Sequence, residues 1–280
     1  MEPSEVERAK AAAMAIASSV GLPVDRAVVL HNSNILSLRL LPCDVFARVC
    51  PGGRELARFE VELARALAAA GGPVAELDPR VEPRGHERDG FAVTLWTYYE
   101  PTDGGLSADA YAHGLARLHA GLRTIDIVAP HFTERSADLP GHVARTPALD
   151  GDERAFLAGR LRDLGRAVTD RRAPQQLLHG EPHPGNVLST AHGARFIDLE
   201  SCCRGPVEFD LARVPAAVSE RYPGVDHALL QDRRGLVLAV VANHRCDPDD
   251  QFPNGPASLR SLLGALRAGP PWPSLDSMVA

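Results

Sequence analysis

Lysine is nearly missing from this chain of 280 residues: Lys10 is the only one, so almost every cation is arginine. Any role that a lysine commonly fills therefore falls to an arginine. No basic excess exists either. The net charge of −6 excludes a general nucleic-acid binder, which needs a basic face to neutralise phosphates. An anionic ligand held by local arginines or helix N-termini stays open. Cysteine is sparse and odd in number (Cys43, Cys50, Cys202, Cys203, Cys246), with no C-x-x-C pair. This argues against a disulfide framework and a structural zinc, and for a reducing cytoplasm. No apolar run reaches the ~18 residues of a membrane-spanning helix. The charged start (Glu2, Glu5, Glu7, Arg8, Lys10) is unlike a signal peptide, so the expectation is a cytoplasmic protein without a membrane partner. Low-complexity tracts and internal repeats are missing too.

What is present is a globular composition, 45% hydrophobic and 24% charged, in a chain long enough for two lobes. Residues 5–19 carry apolar positions at helical spacing (Val6, Ala9, Ala13, Ile16). Residues 35–41 alternate and 44–50 are β-rich, with Pro42-Cys43-Asp44 between them, which predicts an antiparallel hairpin. A Gly52-Gly53 break precedes a helix over 55–70, and 91–99 is strongly β-forming. Pro101-Thr102-Asp103-Gly104-Gly105 is the candidate hinge. Helical spacing then dominates, over 108–122, 153–168 and from Glu208 onward, with short β-like pieces at 176–178 and 195–199. The fold class expected is α+β in two lobes, residues 1–100 and 101–280.

The chemistry concentrates in residues 177–212. Glu181, Asn186 and Asp198 place a carboxylate, an amide and a second carboxylate in a loop and the hairpin after it. Pro182 and Pro184 keep that loop from being helical. Magnesium takes oxygen ligands and keeps several waters, so one amide, one carboxylate and the phosphates of ATP make a fitting set. A further carboxylate aimed at a hydroxyl can orient it and accept its proton during phosphoryl transfer.

The series His179-Gly180-Glu181, Asn186, Ile197-Asp198 and Phe209-Asp210-Leu211-Ala212 resembles the aminoglycoside phosphotransferase and small-molecule kinase family, whose fold is protein-kinase-like. Spacing and order agree with that family's pattern. The resemblance implies Glu181 as the catalytic carboxylate, Asn186 and Asp198 as magnesium ligands, and His179 and Asp210 as scaffold of the loop. One position departs: Glu181 stands where the family has aspartate. Its extra methylene moves the carboxylate, and about 1 Å of misplacement can cost on the order of 10²-fold unless the pocket is rebuilt around it.

The same resemblance implies a small first lobe that binds ATP and a larger helical lobe that takes the acceptor. Arg48 stands where the family has a phosphate-positioning lysine, with Glu60 as its helix partner. Ser33 and Asn34, in a turn without glycine, fall at the phosphate loop, and Trp96 and Tyr98 on the strand whose backbone takes adenine. The reaction implied is ATP-dependent O-phosphorylation of a small hydroxylated molecule. Acidic residues in the second part (Glu200, Glu208, Asp247, Asp249, Asp250) suit a cationic antibiotic such as an aminoglycoside or a basic peptide, which would make this a resistance enzyme. A metabolic kinase of choline, sugar or homoserine type is the alternative. A non-catalytic, nucleotide- or ligand-binding pseudokinase is another, motivated by Arg48, Glu181 and the glycine-free loop.

Overall fold

The computed structural model describes every residue except Pro101, Asp103, Asp249, Gln251, Pro253, Val279 and Ala280. In chain order the first elements are α1 (Pro3–Ser19), β1 (Val24–Asn32), β2 (Leu36–Pro42), β3 (Val45–Pro51), α2 (Arg54–Ala69), β4 (His86–Arg88) and β5 (Phe91–Thr97). Next come α3 (Ala108–Leu122), α4 (Leu139–Val143), α5 (Gly151–Asp170), β6 (Gln176–Leu178), β7 (Val187–Thr190), β8 (Gly193–Phe196) and β9 (Cys203–Gly205). The last are α6 (Val207–Leu211), α7 (Ala216–Ser219), α8 (His227–His244) and α9 (Gly255–Ala268). The chain forms two compact units, Met1–Gly105 with Leu188–Glu200, and Leu106–Val187 with Ser201–Ala280. This is the mixed, protein-kinase-like fold expected from the sequence.

Unit one is built on an antiparallel sheet in the order β1-β2-β3-β5-β4. Alternation sets its two faces. Leu36, Leu38 and Leu40 of β2 and Val45, Ala47 and Val49 of β3 are fully buried on the face that packs against Ala9, Ala12, Ala13, Ile16 and Ala17 of α1. Each leucine so buried stabilises the unit by roughly 1.5–3 kcal/mol. Phe46 and Arg48 of β3 point to the other face, where register sets Phe46 opposite Trp96 and Arg48 opposite Thr94. The β2–β3 turn is Cys43-Asp44, as the composition predicts, with Asp44 at φ 58°.

The strand β1 was not foreseen. Along it only Ala27 is buried, while Val28, Val29 and Leu30 are exposed, so no period-2 signal exists to read. It is held through the backbone, pairing with β2 at the sheet edge. Helix α2 buries Ala57, Glu60, Val61, Leu63, Ala64 and Leu67, so a carboxylate sits on its apolar stripe. Bridging from Val74 to Phe196 attaches the β7–β8 hairpin to this unit.

Unit two is helical. Its core helix α8 buries residues around most of its circumference, from Leu229 to Asn243, and α5 and α9 pack on it. Helices α3, α5 and α8 begin at Ser107, Asp150 and Asp226, whose side chains accept from backbone N–H groups of the first turn. Strand β6 pairs with β9, Leu178 opposite Cys203, which brings the loop after β6 beside the start of α6. Of the hinge residues, Pro101 and Asp103 lie outside those described; Thr102 Oγ1 donates to Ser189 Oγ at 2.7 Å. Among the described residues no helix is long and apolar enough to cross a membrane.

Candidate active site

In unit one, Arg48 and Glu60 meet on the sheet face away from α1. Both are buried, with Arg48 Nη2 3.1 Å from Glu60 Oε1. The same Nη2 donates to Asp198 Oδ1 at 2.8 Å and lies 3.8 Å from Glu200. Burial lowers the guanidinium pKa, but Glu60, Asp198 and Glu200 outweigh it and hold it above its ordinary value. Burial pushes the Glu60 carboxyl up to about 7; Arg48 opposes this, and the negative charge of Asp198 and Glu200 adds to it. Three carboxylates thus share one guanidinium. A cation joining Asp198 would relieve that excess.

Asp198 follows β8 rather than ending a strand: β8 stops at Phe196, and Asp198 has φ 64°. A non-glycine residue in the left-handed region is uncommon and belongs with functional constraint more often than chance allows. Beside it lies a cavity of about 240 Å³ with apolar walls from Leu30, Phe46, Val74, Trp96, Leu188 and Phe196, while Arg48, Thr97, Tyr98 and Asp198 supply polar groups. Its volume falls just below the ~300–1,000 Å³ usual for whole small-molecule clefts, which suits a planar base more than an entire nucleotide. Trp96 is buried and its Nε1 donates to Thr94 Oγ1 at 2.8 Å; the Arg39 guanidinium stacks over Tyr98 at 3.9 Å. Ser33 and Asn34 are not brought to this cavity. They sit exposed at the β1–β2 turn, where Ser33 Oγ donates to the Ile35 carbonyl at 3.3 Å.

Unit two carries the loop of Glu181. Asp210, fully buried near the end of α6, accepts from the backbone N–H of His179 and of Gly180, each at 2.9 Å. Its Oδ2 also meets His119 Nε2 at 2.9 Å, and His119 Nδ1 lies 2.9 Å from the Tyr222 hydroxyl. A carboxylate only accepts, so His119 Nε2 donates to it and the Tyr222 hydroxyl donates to Nδ1. His179 is buried and its Nδ1 accepts from the Glu181 N–H at 3.3 Å. The Tyr111 hydroxyl donates to the Pro182 carbonyl. Gly180 has φ 89°, and a Cβ there would fall 1.9 Å from the Ser201 carbonyl oxygen, so only glycine fits.

Within that frame Glu181 Oε1 is 3.0 Å from Arg213 Nη1. Burial raises the Glu181 pKa, but Arg213, His183, His244 and the Ser201 hydroxyl together outweigh it. The net shift is downward, and the side chain is held as a carboxylate. Asn186 Nδ2 donates to the Glu181 carbonyl at 3.0 Å and lies 3.3 Å from His183 Nε2. With its amide nitrogen turned to the loop, its amide oxygen is the end left for a cation. An amide oxygen and a carboxylate are each the kind of ligand a hard cation takes. Among the described residues no group of three or more His, Cys, Asp or Glu forms a metal cage.

His119, Tyr222 and Arg213 were missed in the sequence. His119 had a signal, a polar residue on the buried stripe of α3 with Leu115, Leu118 and Leu122. Arg213 and Tyr222 had none, because their partners are remote in sequence. Of the acidic residues singled out for a cationic acceptor, three have described partners. Glu208 is buried and accepts from the Asp226 N–H, Asp250 pairs with Arg245 at 3.0 Å, and Glu200 lies by Arg48. Asp249 is outside the described residues.

Residues 37–246 match the model of the phosphotransferase enzyme family. No curated protein matches the chain. Among solved structures, the amicoumacin kinase hAmiN in complex with AMP-PNP, Ca2+ and Ami is similar with a TM-score of 0.67 and 13% identity, over 99% of this chain and 100% of that one. Spectinomycin phosphotransferase APH(9)-Ia, with ADP and spectinomycin, has a TM-score of 0.62 and 13% identity over 95% and 96%. Choline kinase LicA from Streptococcus pneumoniae has 0.66 and 14% over 91% and 97%. At such identities these likenesses concern the fold. The family model covers most of the sequence, including the whole run from His179 to Asp210, and on that match the chain belongs to the phosphotransferase enzyme family.

Proposed function

We propose that this protein transfers the γ-phosphoryl group of ATP to a hydroxyl of a small molecule. The observation that carries the reading is the buried Arg48, shared by Glu60 and Asp198 beside an apolar cavity of base size. In this reading Trp96, Thr97 and Tyr98 flank the base, and Arg48 positions phosphate oxygens while Glu60 fixes its orientation. Asn186 and Asp198 hold Mg2+. Bound Mg-ATP supplies the phosphoryl group and the charge that neutralises its oxygens. Glu181 orients the acceptor hydroxyl and takes its proton as the oxygen attacks. Asp210, His119 and His179 keep the loop of Glu181 and Asn186 in place. Ser33 and Asn34 have no supporting contact in this reading.

The test is product mass spectrometry with Mg-ATP and a panel of aminoglycosides, basic peptide antibiotics, macrolides, choline, homoserine and sugars. A phosphoryl gain on one compound, lost in Asp198→Asn, supports the enzyme. Asparagine suits because it tolerates the left-handed backbone that alanine does not. No gain, with Mg-ATP failing to raise the melting temperature, supports a non-catalytic protein instead. A cationic antibiotic remains the second reading for the acceptor, favoured by neighbours described with amicoumacin and spectinomycin ligands.

A further inference from the structure

Helix α6 and the turn after it hold the Glu181 loop at two points. Asp210 accepts from the backbone N–H groups of His179 and Gly180, each at 2.9 Å, and so sets the path of the main chain into Glu181. Three residues on, Arg213 places its Nη1 3.0 Å from Glu181 Oε1 and holds the side chain. The backbone N–H of Arg213 donates to the Asp210 carbonyl at 3.0 Å, so both anchors belong to one turn of chain.

The two partners differ in exposure. Arg213 is 8% exposed and its guanidinium lies 5.2 Å from the Phe209 ring, so packing keeps it in one place. The Glu181 side chain is 31% exposed, and it lines a cavity of about 230 Å³ with Arg213, Gly180 and Ser201. A carboxylate that open is solvated without help, so it does not need the pair for its charge. Position is another matter. Glutamate has one more rotatable bond than aspartate, so its carboxylate samples a wider arc unless something rigid binds it. Arg213 binds a single oxygen. A carboxylate offers about four acceptor positions over its two oxygens, which leaves capacity for an acceptor hydroxyl.

We infer that Arg213 is the positioning residue that makes a glutamate workable at position 181, by fixing its carboxylate where the acceptor hydroxyl meets it. This rests on the phosphotransfer reading and deepens it. Arg213 touches no reacting atom and acts through Glu181. The opposite reading has Glu181 serving Arg213, as the counter-charge that a buried arginine requires. The two separate on coupling. A positioning residue matters only while there is a carboxylate to position, whereas a structural cation costs the same whatever stands at 181.

The experiment is a double-mutant cycle of Arg213→Met and Glu181→Gln. Values of kcat and of KM for ATP and acceptor are measured on the compound found by product mass spectrometry, with folding checked by circular dichroism. In the parent, Arg213→Met is expected to lower kcat by about 10²-fold, the cost of a carboxylate displaced by about 1 Å, and to leave the KM for ATP within about twofold. In the Glu181→Gln background the same change should lower kcat by less than about twofold. Arg213→Lys keeps a charge at similar reach without the planar fork, and should recover kcat about tenfold over the methionine variant. If Arg213→Met does not fold, the cycle is run with Arg213→Lys, whose smaller loss must likewise vanish beside Glu181→Gln. An equal loss in both backgrounds, or no loss in the parent, overturns the proposal and leaves the phosphotransfer reading standing. A parent that phosphorylates nothing and gains no stability from Mg-ATP overturns that reading and the proposal built on it, a failure seen before any variant is compared.

Discussion

At the scale of the residue, Glu181 decides whether this chain has departed from its family or adapted within it. Its carboxylate is drawn to Arg213 at 3.0 Å, an arrangement sized to the longer side chain. Glu181→Gln should lower kcat by about 10²–10⁴-fold, the usual contribution of a positioned proton acceptor. Glu181→Asp should cost about 10²-fold, because restoring the family residue withdraws the carboxylate by about one bond from a pocket built around glutamate. Steady-state kinetics on the identified acceptor checks both, and an aspartate variant faster than the parent would contradict the adaptation. Glu60 gives a pH signature. Its folded pKa of about 7 lies above the ordinary carboxyl value of 4.5. Its contribution to stability is therefore fully present below about pH 4.5 and is lost as pH rises through about 7, a loss of roughly 3 kcal/mol. Melting temperature against pH in EDTA should fall over that window in the parent and be flatter in Glu60→Gln.

At the scale of the element, the loop between β6 and β7 is held by α6 rather than by its own sequence. Asp210 near the end of α6 closes two backbone N–H groups of that loop and anchors His119 of α3. Gly180 supplies the positive φ and the close approach to Ser201. Gly180→Ala should destabilise by about 2–4 kcal/mol, combining left-handed strain with a backbone clash, as measured by urea denaturation. A stability equal to the parent's would mean that the loop is free to move away from Ser201. The loop motif is legible in sequence because its members are close together and spaced by the turn they build. His119 was missed because what makes it matter is Asp210, ninety-one residues downstream. The strand β1 escaped for a different reason: an exposed edge strand needs only backbone pairing and leaves no hydrophobic alternation.

At the scale of the whole molecule, nucleotide binding and folding should be linked. Mg-ATP at a hundred times its Kd should stabilise the protein by about 2.7 kcal/mol, a rise of roughly 5–10 °C for domains of this size. Asp198→Asn should remove the Mg2+-dependent part of that rise while ATP alone still binds, checked by thermal shift with and without EDTA. The sequence by itself determined the α+β class, the family and the positions of Glu181, Asn186, Asp198, Arg48 and Glu60, because motif spacing and helical or strand period are local properties. Tertiary structure alone decided what those groups face. Arg48 shared among three carboxylates, Glu181 paired with Arg213, and Arg233 buried without a partner all depend on contacts between distant segments. Net charge pointed toward a cationic acceptor, and of the residues behind that reading Glu208, Asp250 and Glu200 are buried or paired. Composition sums charge over the chain, whereas a ligand responds to the few charges that packing leaves around it.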